Sequence, residues 1–157
     1  MEQTKEQRLV ELLIRQGLRI TFAESCTAGK AAARLVNVAD ASRVFDAAFV
    51  TYANEAKVRL LGVGPDTIAA HGVVSEPVAL EMARGAAQQA GAQVGVGISG
   101  IAGPGGGTAQ KPVGTVCFGF VLRGREHSAT VQFGDLGRNA VRDAAVEYVY
   151  DTLLSEL

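Results

Sequence analysis

The chain has no tryptophan and only two cysteines, Cys26 and Cys117. Two thiols so far apart make no disulfide framework. The fold is therefore expected to rest on its core alone, in a reducing, cytoplasmic compartment. Metal ligands are equally scarce. There is no HExxH and no CxxC, and histidine occurs only at His71 and His127, so neither a metal nor a cofactor is expected. Charge of one sign is missing too. The formal net charge is -1 and no basic stripe runs along the chain, which speaks against a nucleic-acid partner. No apolar run is long enough to span a bilayer, and the opening MEQTKEQRLV is too polar for a signal peptide, so no membrane partner is expected. Solenoid repeats are absent.

What is present suits a globular protein. Apolar residues make up 48% of the 157, enough for a core in one domain spanning 1–157. KEQRLVELLIRQ (5–16) places Leu9, Leu12, Leu13 and Ile14 near one helical face. Thr4 and Gln7 have capping-box spacing, and Gly17 suits the helix end. A strand is expected over 18–23, a helix over 27–38, a strand over 44–53 and a short helix in NEAKVRLLG. Residues 71–74 read as extended, followed by a long helix capped by Ser75 with Pro77 in its first turn. VGVGISG (94–100) reads as a strand covered on both faces. Segments 114–122 and 125–133 read as a hairpin across Arg123 and Gly124, and a helix closes the chain. Helices alternating with strands, then a hairpin, predict a three-layer α/β/α sandwich with a mixed central sheet.

Chemistry concentrates at TFAESCTAGK (21–30). Ser25, Cys26 and Thr27 follow an acid, Glu24, where a strand gives way to a helix. Unpaired backbone donors at such a junction can hold an anion. They can also stabilise an oxyanion formed when Ser25 or Cys26 attacks a carbonyl carbon. Equally, Ser25 or Thr27 can be a simple N-cap. Cys117, mid-strand, reads as packing. A serine nucleophile needs a base, and neither histidine has an acid partner at short range. A lysine with a depressed pKa is the other activator. Lys57 stands out: with Asn54 as N-cap it falls in the first turn of a helix, where the dipole disfavours a cation. Tyr52 ends the preceding strand and could relay protons. Against this stands a surface lysine beside Glu55.

GVGISGIAGPGGGTAQKPVGT contains a formal GxGxxG at Gly95, Gly97 and Gly100. It is rejected as a dinucleotide fingerprint, because the glycines lie within a strand, no helix follows and the acidic residue about 20 positions on is missing. A backbone-exposing loop after a buried strand remains, able to offer amides to an anion. Lys111 could add charge there. Arg138 and Arg142, four apart, fit an anion clamp or a solvated face.

AESCTAG (23–29), VTYANEAKVRLLGV (50–63), HGVVSEPVA (71–79), GISGIAGPGGGT (97–108) and KPVGTV (111–116) together resemble the CinA C-terminal domain family, whose stand-alone members include nicotinamide-nucleotide amidases. The resemblance spans nearly the whole chain. It implies hydrolysis of the carboxamide of nicotinamide mononucleotide, a small-molecule nucleotide substrate, to nicotinate mononucleotide and ammonia. It also implies a metal-free Ser–Lys site. Ser25 matches the family's nucleophile, Lys57 its general base and Tyr52 its supporting hydroxyl. The turn and the glycine loop match the regions that enclose substrate, which nominates Glu24, Cys26, Thr27, Gly29, Asn54, Ser99, Gly100, Ala102, Gly103 and Arg142 for binding. Two departures stand out. Ala28 replaces a second glycine common in SCTGG, and GDLGR lengthens the approach to Arg138, making Arg142 the better match. The larger N-terminal CinA domain has no counterpart here, and its activities are not carried over. A pyridine-nucleotide-binding module without turnover, in a competence or damage response, is the competing class. A nicotinamide-dependent oxidoreductase is weaker, resting only on the rejected GxGxxG. A homodimer is expected from the commonness of two-fold oligomers.

Overall fold

A computed structural model describes residues 1–157. Helix α1 (Lys5–Gln16) starts at the expected capping box. Thr4 Oγ1 accepts from the Gln7 N–H, and Gln7 Oε1 accepts from the Thr4 N–H at 2.8 Å. Gly17, at φ +68°, ends it by donating its N–H back to the last turn. Strand β1 (Ile20–Glu24) follows, then α2 (Lys30–Leu35), β2 (Phe49–Val50), α3 (Asn54–Leu61), α4 (Pro65–His71) and α5 (Glu76–Ala90). Strands β3 (Val94–Gly100), β4 (Thr115–Leu122) and β5 (Arg125–Gln132) precede the closing helix α6 (Arg138–Glu156).

The sheet order is β2-β1-β3-β4-β5. Strand β1 pairs in parallel with β2 and β3, and β3-β4-β5 run antiparallel. The sheet is therefore mixed, as expected. Helices α1, α2 and α6 pack together on one face, and α5, with α3 and α4 against it, covers the other. The helix after β1 and the helices after β2 thus lie on opposite faces, while β2 and β3 lie on opposite sides of β1. The carboxyl end of β1 is consequently a topological switch point, where open α/β sheets place their ligand crevices.

Several expectations need correction. The helix expected over 27–38 is only α2, because residues 26–29 form a separate turn. The strand expected over 44–53 shrinks to Phe49–Val50, with an isolated bridge from Ile20 to Phe45. A two-residue edge strand is too short to show a period. Helix α4 was not expected. Its Pro65 occupies the first turn, where the missing donor costs nothing, and none of its residues is buried.

The two faces are packed by different means. Leu9, Leu13, Phe22, Val96, Ile98, Phe118, Phe120 and Tyr150 build the large core on the α1/α2/α6 side. On the α5 side Gly95 and Gly97 of GVGISG, with Gly119 of β4, let backbones touch. A Cβ on Gly97 would lie 2.0 Å from the Ala79 carbonyl oxygen, and one on Gly119 would lie 2.5 Å from the same atom. Those glycines serve helix packing, which agrees with rejecting the dinucleotide reading.

Candidate active site

Ser25 is the first residue beyond β1, and its N–H donates to the Ile98 carbonyl at 3.1 Å. The chain then turns through residues 26–29, with Ala28 at φ +48° and Gly29 at φ +98°. Ala28 thus adopts a left-handed conformation at the position where the resemblance favours glycine. Helix α2 is capped by neither hydroxyl. Its cap is Glu24, fully buried, whose two carboxylate oxygens accept from the Ala31 N–H at 2.9 Å and the Ala32 N–H at 3.0 Å. This corrects the substrate role expected of Glu24 and the capping role open to Ser25. An anion satisfies the helix terminus, and the serine hydroxyl is left free for other work.

That work is visible. Lys57 is 1% exposed. Its Nζ meets Ser25 Oγ at 3.1 Å, the Thr51 carbonyl at 2.7 Å and the Tyr52 carbonyl at 3.3 Å. Burial lowers its pKa, since the interior disfavours the charged form. Burial, not the helix dipole expected from sequence, is the leading cause. A neutral amine can donate to both carbonyls and turn its lone pair toward the serine hydroxyl. Asn54 does not cap α3. Ala53 occupies the cap, and Asn54 is the first helical residue and lines the cleft.

Around Ser25 and Lys57 lies a cleft of about 260 Å3. Cys26, Tyr52, Asn54, Ser99, Gly100, Ala102 and Gly103 line it, as nominated. Ser99 Oγ donates to the Val73 carbonyl at 2.8 Å, tying β3 to the segment before α5. Burial pushes the Cys26 thiol up to about 11, so this neighbour of Ser25 stays protonated and is a poor nucleophile at neutral pH. The backbone N–H groups of Cys26, Ala102 and Gly103, which line the cleft, donate to no backbone acceptor. Free amides in the lining can serve as oxyanion donors.

Other nominations fall elsewhere. Thr27 is buried without lining the cleft, and its hydroxyl has no partner. Gly29 occupies the N-cap position of α2, where it has no side chain to cap with, and also lies off the cleft. Arg142 is spent on the turn itself, with Nε donating to the Cys26 carbonyl at 2.8 Å and Nη2 to the Thr27 carbonyl at 3.4 Å. It shapes the turn and does not line the cleft. The cation that does is Arg138, one helical turn away. Its Nη1 donates to the Gly103 carbonyl at 2.7 Å and its Nη2 to the Tyr52 hydroxyl at 2.9 Å. Their shared spacing signalled both arginines without saying which reached the site. Tyr52 lies beyond β2 and is 61% exposed, with its hydroxyl on Arg138 and only its carbonyl on Lys57. Lys111 Nζ donates to the His71 carbonyl at 2.7 Å, anchoring the glycine loop to α4. No group of three or more His, Cys, Asp or Glu side chains is gathered to hold a metal ion. No helix is long and apolar enough to cross a membrane.

Comparison with known proteins agrees with this architecture. The chain is 48% identical over 150 residues to a CinA-like protein of Chlorobaculum tepidum, covering 85% of this chain and 36% of that protein. It spans about a third of the length of the first curated relatives it matches. A relative from Enterobacter agglomerans named nicotinamide-nucleotide amidohydrolase PncC is 48% identical over 160 residues, covering 96% of both chains. A CinA superfamily crystal structure from Escherichia coli superposes with a TM-score of 0.94 at 37% identity, covering 98% of this chain and 88% of that one. The family model described as the CinA C-terminal domain matches residues 2–157, and the chain belongs to that family.

Proposed function

We propose that the chain is a nicotinamide-nucleotide amidohydrolase in which Ser25 is the nucleophile and Lys57 the general base. The observation that carries the reading is the 3.1 Å contact between Lys57 Nζ and Ser25 Oγ, with the lysine buried and its pKa lowered. Relatives matching the chain nearly end to end bear the amidohydrolase name, which supports the substrate.

Neutral Lys57 takes the Ser25 proton as Oγ bonds to the carboxamide carbon. The carbonyl oxygen gains charge and meets the free amides of the ESCTAG turn or of Ala102 and Gly103. The C–N bond then breaks, and the leaving nitrogen takes the proton from Lys57 and departs as ammonia. Water attacks the acyl ester, Lys57 accepts its proton, and the proton returns to Ser25 as nicotinate mononucleotide leaves. The seryl ester splits one hard step into two easier ones.

Ammonia release from nicotinamide mononucleotide by wild type and by Ser25→Ala tests the reading. Release by wild type with only background from the variant is the expected result. Equal release by both removes Ser25 from the chemistry. Nucleotide binding with no release by either favours the binding-module reading instead.

A further inference from the structure

We infer that Arg138 recognises the phosphate of the nucleotide, with Tyr52 and Gly103 holding its guanidinium at the cleft mouth. The inference rests on the amidohydrolase reading above.

The cleft, at about 260 Å3, falls below the roughly 300–1,000 Å3 of pockets that engulf a drug-sized ligand. A nucleotide whose carboxamide reaches Ser25 therefore leaves its far end at the rim. Two basic side chains line the cleft, Lys57 and Arg138. Lys57 is enclosed and turned onto Ser25, Thr51 and Tyr52. Arg142, nominated from sequence, is committed to the turn carbonyls. Arg138 is exposed and lies beside Tyr52, itself exposed.

The state of that guanidinium suits an anion. Both its acceptors are neutral, a backbone carbonyl and a phenol, and no carboxylate forms an ion pair with it. Its charge is uncompensated, and three of its five N–H donors remain free. Two bonds from different segments hold the fork in place, which lowers the ordering cost of binding. The Tyr52 oxygen accepts from Arg138, so its own hydrogen can be donated to a phosphate oxygen. Arg138 also opens α6, a helix of 19 residues with no side-chain cap, so the positive end of the dipole lies at the same residue. On this view Tyr52 anchors the substrate and takes no part in proton transfer.

Steady-state kinetics on nicotinamide mononucleotide and on nicotinamide riboside, which lacks the phosphate, test the inference. A charge-assisted hydrogen-bond pair predicts that Arg138→Ala lowers the nucleotide-to-riboside ratio of kcat/KM by about tenfold to a hundredfold, mainly through KM for the nucleotide. Arg138→Lys, keeping charge but losing the fork, falls between wild type and alanine. It carries the test if the alanine variant fails to fold. Inorganic phosphate competes with the nucleotide on wild type and loses that effect on Arg138→Ala. Tyr52→Phe shifts KM more than kcat, whereas a proton relay would show the reverse. An Arg138→Ala enzyme that keeps the wild-type ratio overturns the inference, as does one that loses kcat equally on both substrates. Failure of wild type itself to release ammonia from the nucleotide overturns the amidohydrolase reading first, and is seen without any variant.

Discussion

The two faces of the sheet are built to different tolerances. Toward α1, α2 and α6 the strands present Phe22, Val96, Ile98, Phe118 and Phe120, side chains that can shift a little to absorb a change. Toward α5 they present Gly97 and Gly119, and backbone meets backbone. The same device repeats one layer out, where a Cβ on Gly85 of α5 would lie 1.9 Å from the Leu61 carbonyl oxygen of α3. Helix α3 carries Lys57. Glycine contacts therefore run from β3 and β4 through α5 to α3, the helix that carries the lysine, and leave little slack between those elements. The soft face supplies stability, while the hard face supplies position.

Replacing Lys57 breaks the comparison most sharply. Lys57→Met lowers ammonia release by about 10^4-fold or more, as expected on losing one member of a nucleophile–base pair. The same change stabilises the fold at neutral pH. The folded-state pKa of Lys57 lies below the unfolded value, so between the two the unfolded chain binds the extra proton. Wild-type stability therefore rises with pH across that window. The melting-temperature advantage of Lys57→Met should be largest at neutral pH and shrink toward pH 10. Activity of the wild type should fall as pH drops through the lowered Lys57 pKa, since only the neutral amine is a base.

Gly97→Ala comes next. With no room for Cβ against a backbone oxygen, it costs about 3 kcal/mol or more in urea denaturation. Gly105→Ala in the cleft loop meets open space and should stay within about 0.5 kcal/mol. Equal costs would show that the strand glycines do not set the α5 approach. Gly85→Ala sharpens the point, because it pushes α3 from α5. It should lower kcat by about tenfold to a hundredfold, since displacement of a reacting group by an ångström has that effect. The smallest effect is on the soft face, where Ile20→Val should cost about 0.5–1.5 kcal/mol and leave kcat unchanged.

Much of the architecture was legible because its signals are local. The Thr4–Gln7 box, Gly17, the Ser75 cap and the Arg123–Gly124 hairpin each depend on residues a few positions apart, and each appears where expected. The misses are segments whose state depends on what they touch. Strand β2 is an edge of two residues, and α4 buries none of its side chains. Neither leaves a period to read. The site was legible as a set of residue types but not as an assignment of tasks. Glu24 was expected at the substrate and caps α2. Asn54 was expected both as a cap and in binding, and it lines the cleft without capping. Arg142 was preferred to Arg138, yet Arg138 lines the cleft.

The sequence by itself determined the order of most helices and strands, α4 excepted, the rejection of a dinucleotide fingerprint and the family motifs. Those rest on propensities, caps and spacing within a few residues. Tertiary structure decided three other things: that a buried carboxylate caps α2 and frees Ser25, that Lys57 is enclosed and its charge disfavoured, and which arginine lines the cleft. Lys57 meets Ser25 across 32 residues, and Arg138 meets Tyr52 across 86. Burial and contact at such separations exist only once the layers have packed, because desolvation is a property of the surroundings and not of the residue.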